Sequence, residues 1–230
     1  MMLSHYHFND PLSFDGDVIN VLIVENRRMF SEIIQELLTQ ISGGVGKFYL
    51  SDKGTEIPIS GKVDIIIDPF STELNERDIL NKLYANMKSD ALGEELYNST
   101  NKVLAEMGKM TQELMNRQPV MLDSSELDII AVLRSMNVVF SPSESLLERL
   151  CDYLDVCSEY RKIALFVFVN IKSYLCDEDL ELFYSHLAYN KRSVLLLERC
   201  ESPPHPREKI TIIDNDLCEI CTHNGDYDKY

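Results

Sequence analysis

The sequence IALFVFVN occupies Ile163–Asn170 and follows the charged pair Arg161 and Lys162. Seven apolar residues run here without the polar alternation of a strand that has one wet face. The segment is short for a helix, and its Val and Phe residues favour extended structure. Such a run is typical of a strand buried on both faces, as in a parallel sheet covered by helices. We therefore predict that it forms the central strand of such a sheet.

Segments on both sides of this run extend the same pattern. Further strands are predicted at Val18–Glu25, Lys47–Leu50, Val63–Ile67, Val194–Leu197 and Lys209–Ile213. Apolar residues recur every three or four positions from Met29 to Ile41, which predicts a helix that stops at Gly43. Strand, helix and strand in this order indicate an α/β fold with a mixed, mostly parallel sheet.

The middle of the chain has a different character, because no strand-like stretch occurs between Thr72 and Gln118. Thr72 is expected to cap one helix, and a second helix of roughly 40 Å is expected from about Asp90 to Pro119. The second helix carries a narrow apolar stripe at Leu96, Thr100, Val103, Met107, Met110 and Leu114. Such a stripe needs cover from another helix of this chain or of a partner. The expected organisation is an α/β head from residues 1–70 and 143–230, with a helical leg at 71–142.

Composition limits the possible functions. The formal net charge is -16, which argues against nucleic acid unless basic groups gather locally or cations offset the acids. The six cysteines are scattered, as in intracellular proteins without a disulfide framework. No apolar run reaches the roughly 20 residues that cross a bilayer, and the polar start does not resemble a signal peptide. We expect a cytoplasmic protein with no membrane partner.

Two motifs resemble parts of a nucleotide-hydrolysing enzyme. The loop GGVGKF at Gly43–Phe48 lacks the first Gly of a phosphate-binding loop and has Phe48 where the magnesium-binding Ser or Thr belongs. It also follows a helix, whereas a phosphate-binding loop follows a strand and opens a helix. Asp68 follows a predicted strand, as the acid of such enzymes does, but Asp-Pro is also a common turn. A helix stop and a turn are the favoured interpretations, and no catalytic residue is assigned.

Other chemistry-bearing residues allow more than one interpretation. Cys218 and Cys221 form a single CxxC near Cys200, His205 and His223, which is weak evidence for zinc, so free thiols are favoured. Acidic residues cluster after the predicted leg helix, and they fit either a calcium site or a helix N-terminus opened near Ser125. These candidate calcium ligands are Asp123, Glu126 and Asp128. The next helix is expected to be capped by Ser143.

Basic residues are sparse, and solvated faces are their ordinary interpretation. If the chain binds DNA, the candidate contacts are Arg27 and Arg28 at the first helix and four residues of the leg. The four leg residues are Lys82, Lys102, Lys109 and Arg117.

Three stretches together resemble a known family. They are VINVLIVENRRMFSEIIQELL at Val18–Leu38, VDIIIDPF at Val63–Phe70, and IALFVFVNIKSYLCDEDLELFYSHLAYNKRSVLLLE at Ile163–Glu198. In order and spacing they resemble the CRISPR-associated adaptation protein of type II-A systems, the Csn-two family. The resemblance covers both sheet-forming portions, and the leg agrees in position and helical character.

The resemblance implies a head related to phosphate-loop hydrolases but without their catalysis, and a helical leg. It implies a homotetrameric ring that takes linear double-stranded DNA through a basic hole, with calcium near the junction of leg and head. The acidic stretch at Asp123, Glu126 and Asp128 matches the calcium-binding position. The implied role is spacer acquisition beside the spacer integrase and the effector nuclease. A nucleotide-hydrolysing enzyme and a protein-only scaffold are the alternatives.

Overall fold

The structure is a computed structural model that describes residues 1–14, 18–141 and 143–222. The chain divides into two compact units. The sheet unit comprises Met1–Glu73 and Ser143–Tyr230, and the helical unit comprises Leu74–Pro142.

The described residues form ten strands and six α-helices. The strands are β1 (Met2–Ser4), β2 (Leu12–Ser13), β3 (Ile19–Val24), β4 (Tyr49–Asp52), β5 (Thr55–Ile57), β6 (Val63–Ile66), β7 (Leu165–Val169), β8 (Ser193–Glu198), β9 (Glu208–Ile213) and β10 (Glu219–Thr222). The helices are α1 (Arg27–Ile41), α2 (Arg77–Ala91), α3 (Tyr97–Asn116), α4 (Ile129–Ser135), α5 (Leu146–Val156) and α6 (Asp177–Tyr189).

Six strands form the main sheet in the order β10-β9-β3-β8-β7-β6. The pairs from β9 to β6 are all parallel, and only β10 runs antiparallel to its neighbour within this sheet. The predicted α/β fold with a mixed, mostly parallel sheet is confirmed. The predicted central position of β7 is wrong, because β3 and β8 form the middle pair and β7 lies beside the edge strand β6. An unbroken apolar run reports burial of both faces of a strand, not its place across the sheet.

The sheet unit is covered on both faces. All five residues of β7 are buried, and Phe168 meets Phe183 of α6 edge to face with ring centroids 5.5 Å apart. On α1, Met29, Ile33 and Leu37 are buried in a core with residues of β3 and β7. The apolar stripe recognised in the sequence therefore packs against the sheet, as an amphipathic helix should.

A second, antiparallel sheet has the order β2-β1-β4-β5. Leu3, Leu12, Phe48 and Leu50 of this sheet and its neighbouring loop join the core of α1. The sequence indicated only the strand at Lys47–Leu50. The others have two or three residues, too few for an alternation pattern to stand out.

The helical unit has its own hydrogen-bonded centre. The Tyr84 hydroxyl of α2 donates to the Val138 carbonyl at 2.9 Å. The Asn75 side chain accepts from the Phe140 amide at 2.9 Å and donates to its carbonyl at 3.0 Å. Arg134 of α4 donates to Asn81 of α2 at 2.8 Å. These bonds join α2, α4 and the segment after α4.

Several predicted helix starts are wrong. The long helix begins at Tyr97 rather than near Asp90, so α3 spans roughly 30 Å instead of 40 Å. Thr72 ends a short turn at Pro69–Ser71 rather than capping α2. Helices α4 and α5 are capped by Asp128 and Ser145, not by Ser125 and Ser143. Each of these stretches offers several Ser, Thr and Asp residues, and a capping pattern alone cannot choose among them.

Candidate functional site

The connection between β3 and α1 lies at the carboxyl edge of the parallel sheet, where open α/β sheets commonly bind ligands. It contains only Glu25 and Asn26. The Asn26 side chain accepts hydrogen bonds from the amides of Arg28 and Met29, both at 3.1 Å. These are the helix N-terminal amides that a phosphate would contact. The connection therefore has no glycine, and Asn26 already occupies two of the amides that a phosphate would contact.

The GGVGKF loop lies at the other end of α1. Gly43 adopts a positive φ of 87° after the last helical residue, Ile41. The amide of Lys47 donates to the Glu36 carboxylate, and the Lys47 ammonium lies 5.5 Å from the ring centre of Tyr6. The prediction of a glycine helix stop is confirmed.

The Asp68 side chain stabilises a turn through hydrogen bonds. Its carboxylate accepts from the Phe70 amide at 3.0 Å and from the Ser71 hydroxyl, and it caps the short turn at Pro69–Ser71. The hydrogen bond from Ser71 is the main cause of the lowered pKa of Asp68. The turn interpretation of Asp-Pro is confirmed.

A cleft of about 440 Å³ opens beside the β3–α1 connection. Arg27 and Arg199 line it together with Glu25 and Glu201, so its formal charge is balanced. The Arg199 guanidinium donates to the Glu25 carbonyl at 3.4 Å. Sequence reasoning missed Arg199, because nothing in the pattern after β8 distinguishes it from a solvated residue. With two carboxylates in its wall, the cleft does not indicate an anion site.

The three candidate calcium ligands have different contacts in the structure. Asp128 caps α4 and forms an ion pair with the Lys88 ammonium at 3.1 Å. The hydrogen bond from Lys88 is the first cause of the lowered pKa of Asp128. Asp123 accepts from the amide of Ser124 at 2.9 Å, and Glu126 is exposed. Across residues 1–14, 18–141 and 143–222, no group of three or more His, Cys, Asp or Glu has metal-binding geometry. Calcium at these residues stays a prediction.

The candidate DNA contacts fall into both units. Arg27 and Arg28 open α1 of the sheet unit, and Arg28 pairs with Glu32 at 2.8 Å. In the helical unit, Lys109 pairs with Glu106 at 3.0 Å. The other three basic candidates of that unit form no ion pair with any residue that the structure describes. They are Lys82, Lys102 and Arg117.

Charge is distributed unevenly between the two units. The helical unit carries ten Asp and Glu against seven Lys and Arg, a net charge of -3. The sheet unit therefore carries -13 of the total of -16. The acidity that argued against nucleic acid belongs mainly to the sheet unit.

The apolar stripe of α3 is exposed. Leu96, Val103, Met110 and Leu114 are 49–57% exposed, and no side chain of α3 is buried. Met107 and Thr100 are half-buried. The stripe was expected to need cover from another helix, and within the described part of the single chain most of it is exposed.

The cysteines with described side chains are all free thiols: Cys151, Cys157, Cys176, Cys200 and Cys218. Burial raises the pKa of Cys157 to about 11 and that of Cys151 to about 12, so both stay protonated near neutral pH. The side chain of Cys221 and the whole of His223 lie outside the described part of the chain.

Among the described residues, no helix is both long enough and apolar enough to span a bilayer.

These features define an α/β protein with a mostly parallel sheet, a helical insertion, and a β3–α1 connection unsuited to phosphate. The family model for CRISPR-associated protein (Cas_Csn2) matches residues 40–217, which is most of the chain. The chain belongs to this family, and membership gives it a role in CRISPR adaptation. The family resemblance recognised in the sequence is confirmed.

Solved structures show a more distant similarity. One is a bacterial Atm1-family ABC exporter with ATP bound, with a TM-score of 0.42 and 10% identity; the match covers 89% of this chain and 33% of that one. Another is cbiO1 from Clostridium perfringens, part of the ABC transporter complex cbiONQ, with a TM-score of 0.44 and 9% identity; the match covers 88% of this chain and 76% of that one. Similarity at this level says nothing about function. No curated protein matches the sequence.

Proposed function

We propose that this chain is a non-enzymatic protein that binds linear double-stranded DNA without sequence preference during spacer acquisition. It acts in the cytoplasm as a homotetrameric ring stabilised by calcium. Its partners are DNA, further copies of itself, the spacer integrase and the effector nuclease. The observation that carries the proposal is the surface of α3, where an exposed apolar stripe lies beside basic residues.

The geometry of α3 supports both assembly and DNA binding. Residues seven apart lie on the same face of a helix, and consecutive residues are about 100° apart. Lys102 and Lys109 therefore form a basic row next to the apolar row of Val103 and Met110. If another copy covers the apolar row, the lysines lie at the border of that contact. There Lys102 is available to the phosphates of a duplex, and Lys109 would exchange its ion pair with Glu106 for a phosphate.

The charge distribution weakens the main objection to DNA binding. Binding to phosphates is local, and the helical unit carries only -3 of the total charge. Lys82, Lys102 and Arg117 have no ion-pair partner among the described residues, so they have no internal ion pair to give up on binding. Contacts of this kind recognise the DNA backbone and not its sequence.

Calcium would act at the segment after α3. Calcium takes six to eight oxygen ligands, and Asp123, Glu126 and Asp128 supply carboxylates within six residues. Asp128 now pairs with Lys88, so a bound ion would replace that ammonium and free Lys88 for another contact. The positive charge would also offset part of the acidity of the protein.

The absence of a phosphate-binding arrangement between β3 and α1 favours binding over nucleotide hydrolysis. Asn26 already occupies the amides that would hold a phosphate. Phosphate release from ATP with magnesium would revive the enzyme alternative. Tetramers that bind no DNA would favour the protein-only scaffold.

The test is binding of a fluorescent blunt duplex, measured by anisotropy at several salt concentrations with calcium or with chelator. The Lys102→Gln/Lys109→Gln double variant is compared with Lys53→Gln/Lys191→Gln, which removes two exposed lysines of the sheet unit. We expect about tenfold weaker binding and a shallower salt dependence for the α3 variant only. We also expect weaker binding with chelator.

A covalently closed circle of the same sequence provides the control for threading. A ring cannot admit it, so we expect little binding to the circle. Equal affinity for circle and linear duplex would refute the ring. Equal affinity of both double variants would remove α3 from the DNA contact.

A further inference from the structure

A buried charged network lies in the sheet unit, separate from the candidate DNA contacts. Glu208 at the start of β9 is 1% exposed, and Glu198 at the end of β8 is 4% exposed. The Lys172 ammonium lies 2.9 Å from Glu208 Oε1 and 3.0 Å from Oε2. The hydroxyl of buried Tyr184 in α6 donates to Glu208 Oε1 at 2.5 Å. Charges so thoroughly removed from water are retained only when they are paired and hydrogen-bonded.

Lys172 binds Glu198 and Glu208 and also binds the chain segment between β8 and β9. Its amide donates to Glu198 Oε1 at 3.2 Å, and its ammonium also donates to the Pro203 carbonyl at 3.4 Å. The His205 amide donates to Glu208 Oε2 at 3.1 Å. The connection, residues 199–207, is therefore held to the sheet through Lys172 and Glu208.

Residues of this connection line part of a cavity of about 310 Å³. It is lined by Lys172, Leu180, Pro203 and His205 among others. Pro203, Pro204 and Pro206 have no amide hydrogen, so they cannot add backbone donors to hold the segment. The polar contacts of Lys172 and His205 consequently matter more here than in an ordinary loop.

We propose that Lys172, Glu198 and Glu208 form a proton-dependent latch that holds the β8–β9 connection closed when Glu198 is protonated and loosens it when Glu198 ionises. With Glu198 neutral, the Lys172 and Glu208 charges cancel. Ionised Glu198 gives the buried group a net negative charge and competes with Glu208 for the Lys172 ammonium. The ammonium then leaves Pro203, and the connection loses a contact to the sheet.

The surroundings of Glu198 fit this role. Burial raises the pKa of Glu198 to about 7, and the Glu208 carboxylate adds to the shift, whereas the Lys172 amide and charge oppose it. Burial also raises the pKa of Tyr184, so α6 supplies a neutral donor. Further charged groups lie on the connection and on α6. His205 and Arg207 pair with Glu181 of α6 at 2.8 and 3.2 Å, and Asp177 lines the cavity.

The test is amide hydrogen exchange at pH 6 and pH 8, corrected for the intrinsic effect of pH. The amide of His205, which donates to Glu208, reports on the connection, whereas the Lys172 amide donates to Glu198 itself and is held more firmly once Glu198 is ionised. We expect the His205 amide to lose about tenfold protection between pH 6 and pH 8, most of it below pH 7, because opening releases the Glu198 proton only while Glu198 is still protonated in the closed state. The Gln side chain of Glu198→Gln cannot ionise. In this variant the protection of the His205 amide is therefore expected not to change with pH.

Two variants isolate the responsible group. Glu201→Gln removes an exposed carboxylate of the same connection, and His205→Gln removes the nearby imidazole. Both are expected to keep the loss of protection seen in the wild type. Loss of the effect in His205→Gln, or its persistence in Glu198→Gln, would overturn the latch.

A direct measurement covers the case in which a variant fails to fold. The side-chain carboxyl ¹³C shift of Glu198 in the wild-type protein is expected to titrate near pH 7, together with the His205 amide. A Glu198 midpoint below pH 5, or an unchanged His205 amide through that titration, would also overturn the proposal.

Discussion

Strand β7 and helix α3 are both rich in apolar residues, yet they differ in burial. All five residues of β7 are buried, whereas none of the twenty residues of α3 is. In β7 the apolar residues are continuous and both faces are covered. In α3 they form one narrow stripe on a polar helix. A stripe of this kind fits a contact with another helix, and the single chain leaves much of it exposed.

The same contrast holds for charge. The sheet unit carries most of the negative charge and also buries Lys172, Glu198 and Glu208 in its interior. The helical unit is close to neutral, and its charged side chains lie at the surface. The sheet unit thus depends on internal packing and pairing, whereas the helical unit keeps its charged groups at the surface.

The largest expected effect compares the two elements directly. Phe168→Ala removes a fully buried ring that packs on Phe183, and it should lower the free energy of unfolding by about 3–5 kcal/mol. Leu114→Ala on the exposed stripe should change it by no more than about 0.5 kcal/mol in the dilute monomer. Urea unfolding measures both.

The protein concentration decides how the second half of that comparison is interpreted. If a second copy covers α3, the cost of Leu114→Ala grows with concentration, because association stabilises the folded state. A large cost in the dilute monomer would show instead that the stripe is already packed within one chain.

The sequence was sufficient for the parts of the fold that repeat a strong pattern. The five parallel strands and α1 follow from apolar runs and from three- and four-residue spacing. The small antiparallel sheet was mostly missed, because β1, β2 and β5 have only two or three residues each. The predicted position of β7 within the sheet was wrong, because the local sequence pattern of a strand does not show which strands pair with it.

The candidate site was less predictable than the fold. The failed phosphate-binding loop could be recognised from the missing first Gly, from Phe48 and from its place after a helix. The blocking role of Asn26 required the geometry of the β3–α1 connection. The pairing of Asp128 with Lys88 joins residues forty positions apart in the chain, and sequence spacing gives no sign of it. The network around Glu208 joins residues of β9, α6 and the turn after β7 in the same way.

The next largest effect concerns the buried charges of the sheet unit. The pKa of Glu198 is about 7 in the folded protein and 4.5 in the unfolded chain, so the folded state binds more protons between these values. The free energy of unfolding should therefore fall by about 3 kcal/mol as the pH rises from 4.5 to 7. Subtracting the profile of Glu198→Gln from that of the wild type isolates this contribution.

The exposed carboxylate Glu201 gives the matched control. Glu201→Gln should leave the wild-type pH profile unchanged in the same window. A difference profile for Glu198→Gln that is flat with pH would mean that Glu198 stays ionised when folded.

A smaller effect tests whether the helical unit has a centre of its own. Tyr84→Phe removes the hydroxyl that donates to the Val138 carbonyl and leaves that acceptor unpaired, which should cost about 1 kcal/mol. Amide exchange of α2 and α4 in urea measures the local cost. Tyr97→Phe at the exposed start of α3 removes the same atom and should cost nothing measurable.

The smallest effect concerns Arg28, which pairs with Glu32 on the surface of α1. Exposed pairs of this kind contribute little to stability, so Arg28→Gln should leave the urea midpoint unchanged. Arg192→Gln is the contrasting variant, because the half-buried Arg192 guanidinium donates twice to Asp155 and its loss should be detectable. With no structural effect to confuse the result, Arg28→Gln reports only on DNA contact. Weaker duplex binding by this variant would extend the DNA surface to the sheet unit and break the division between the two units.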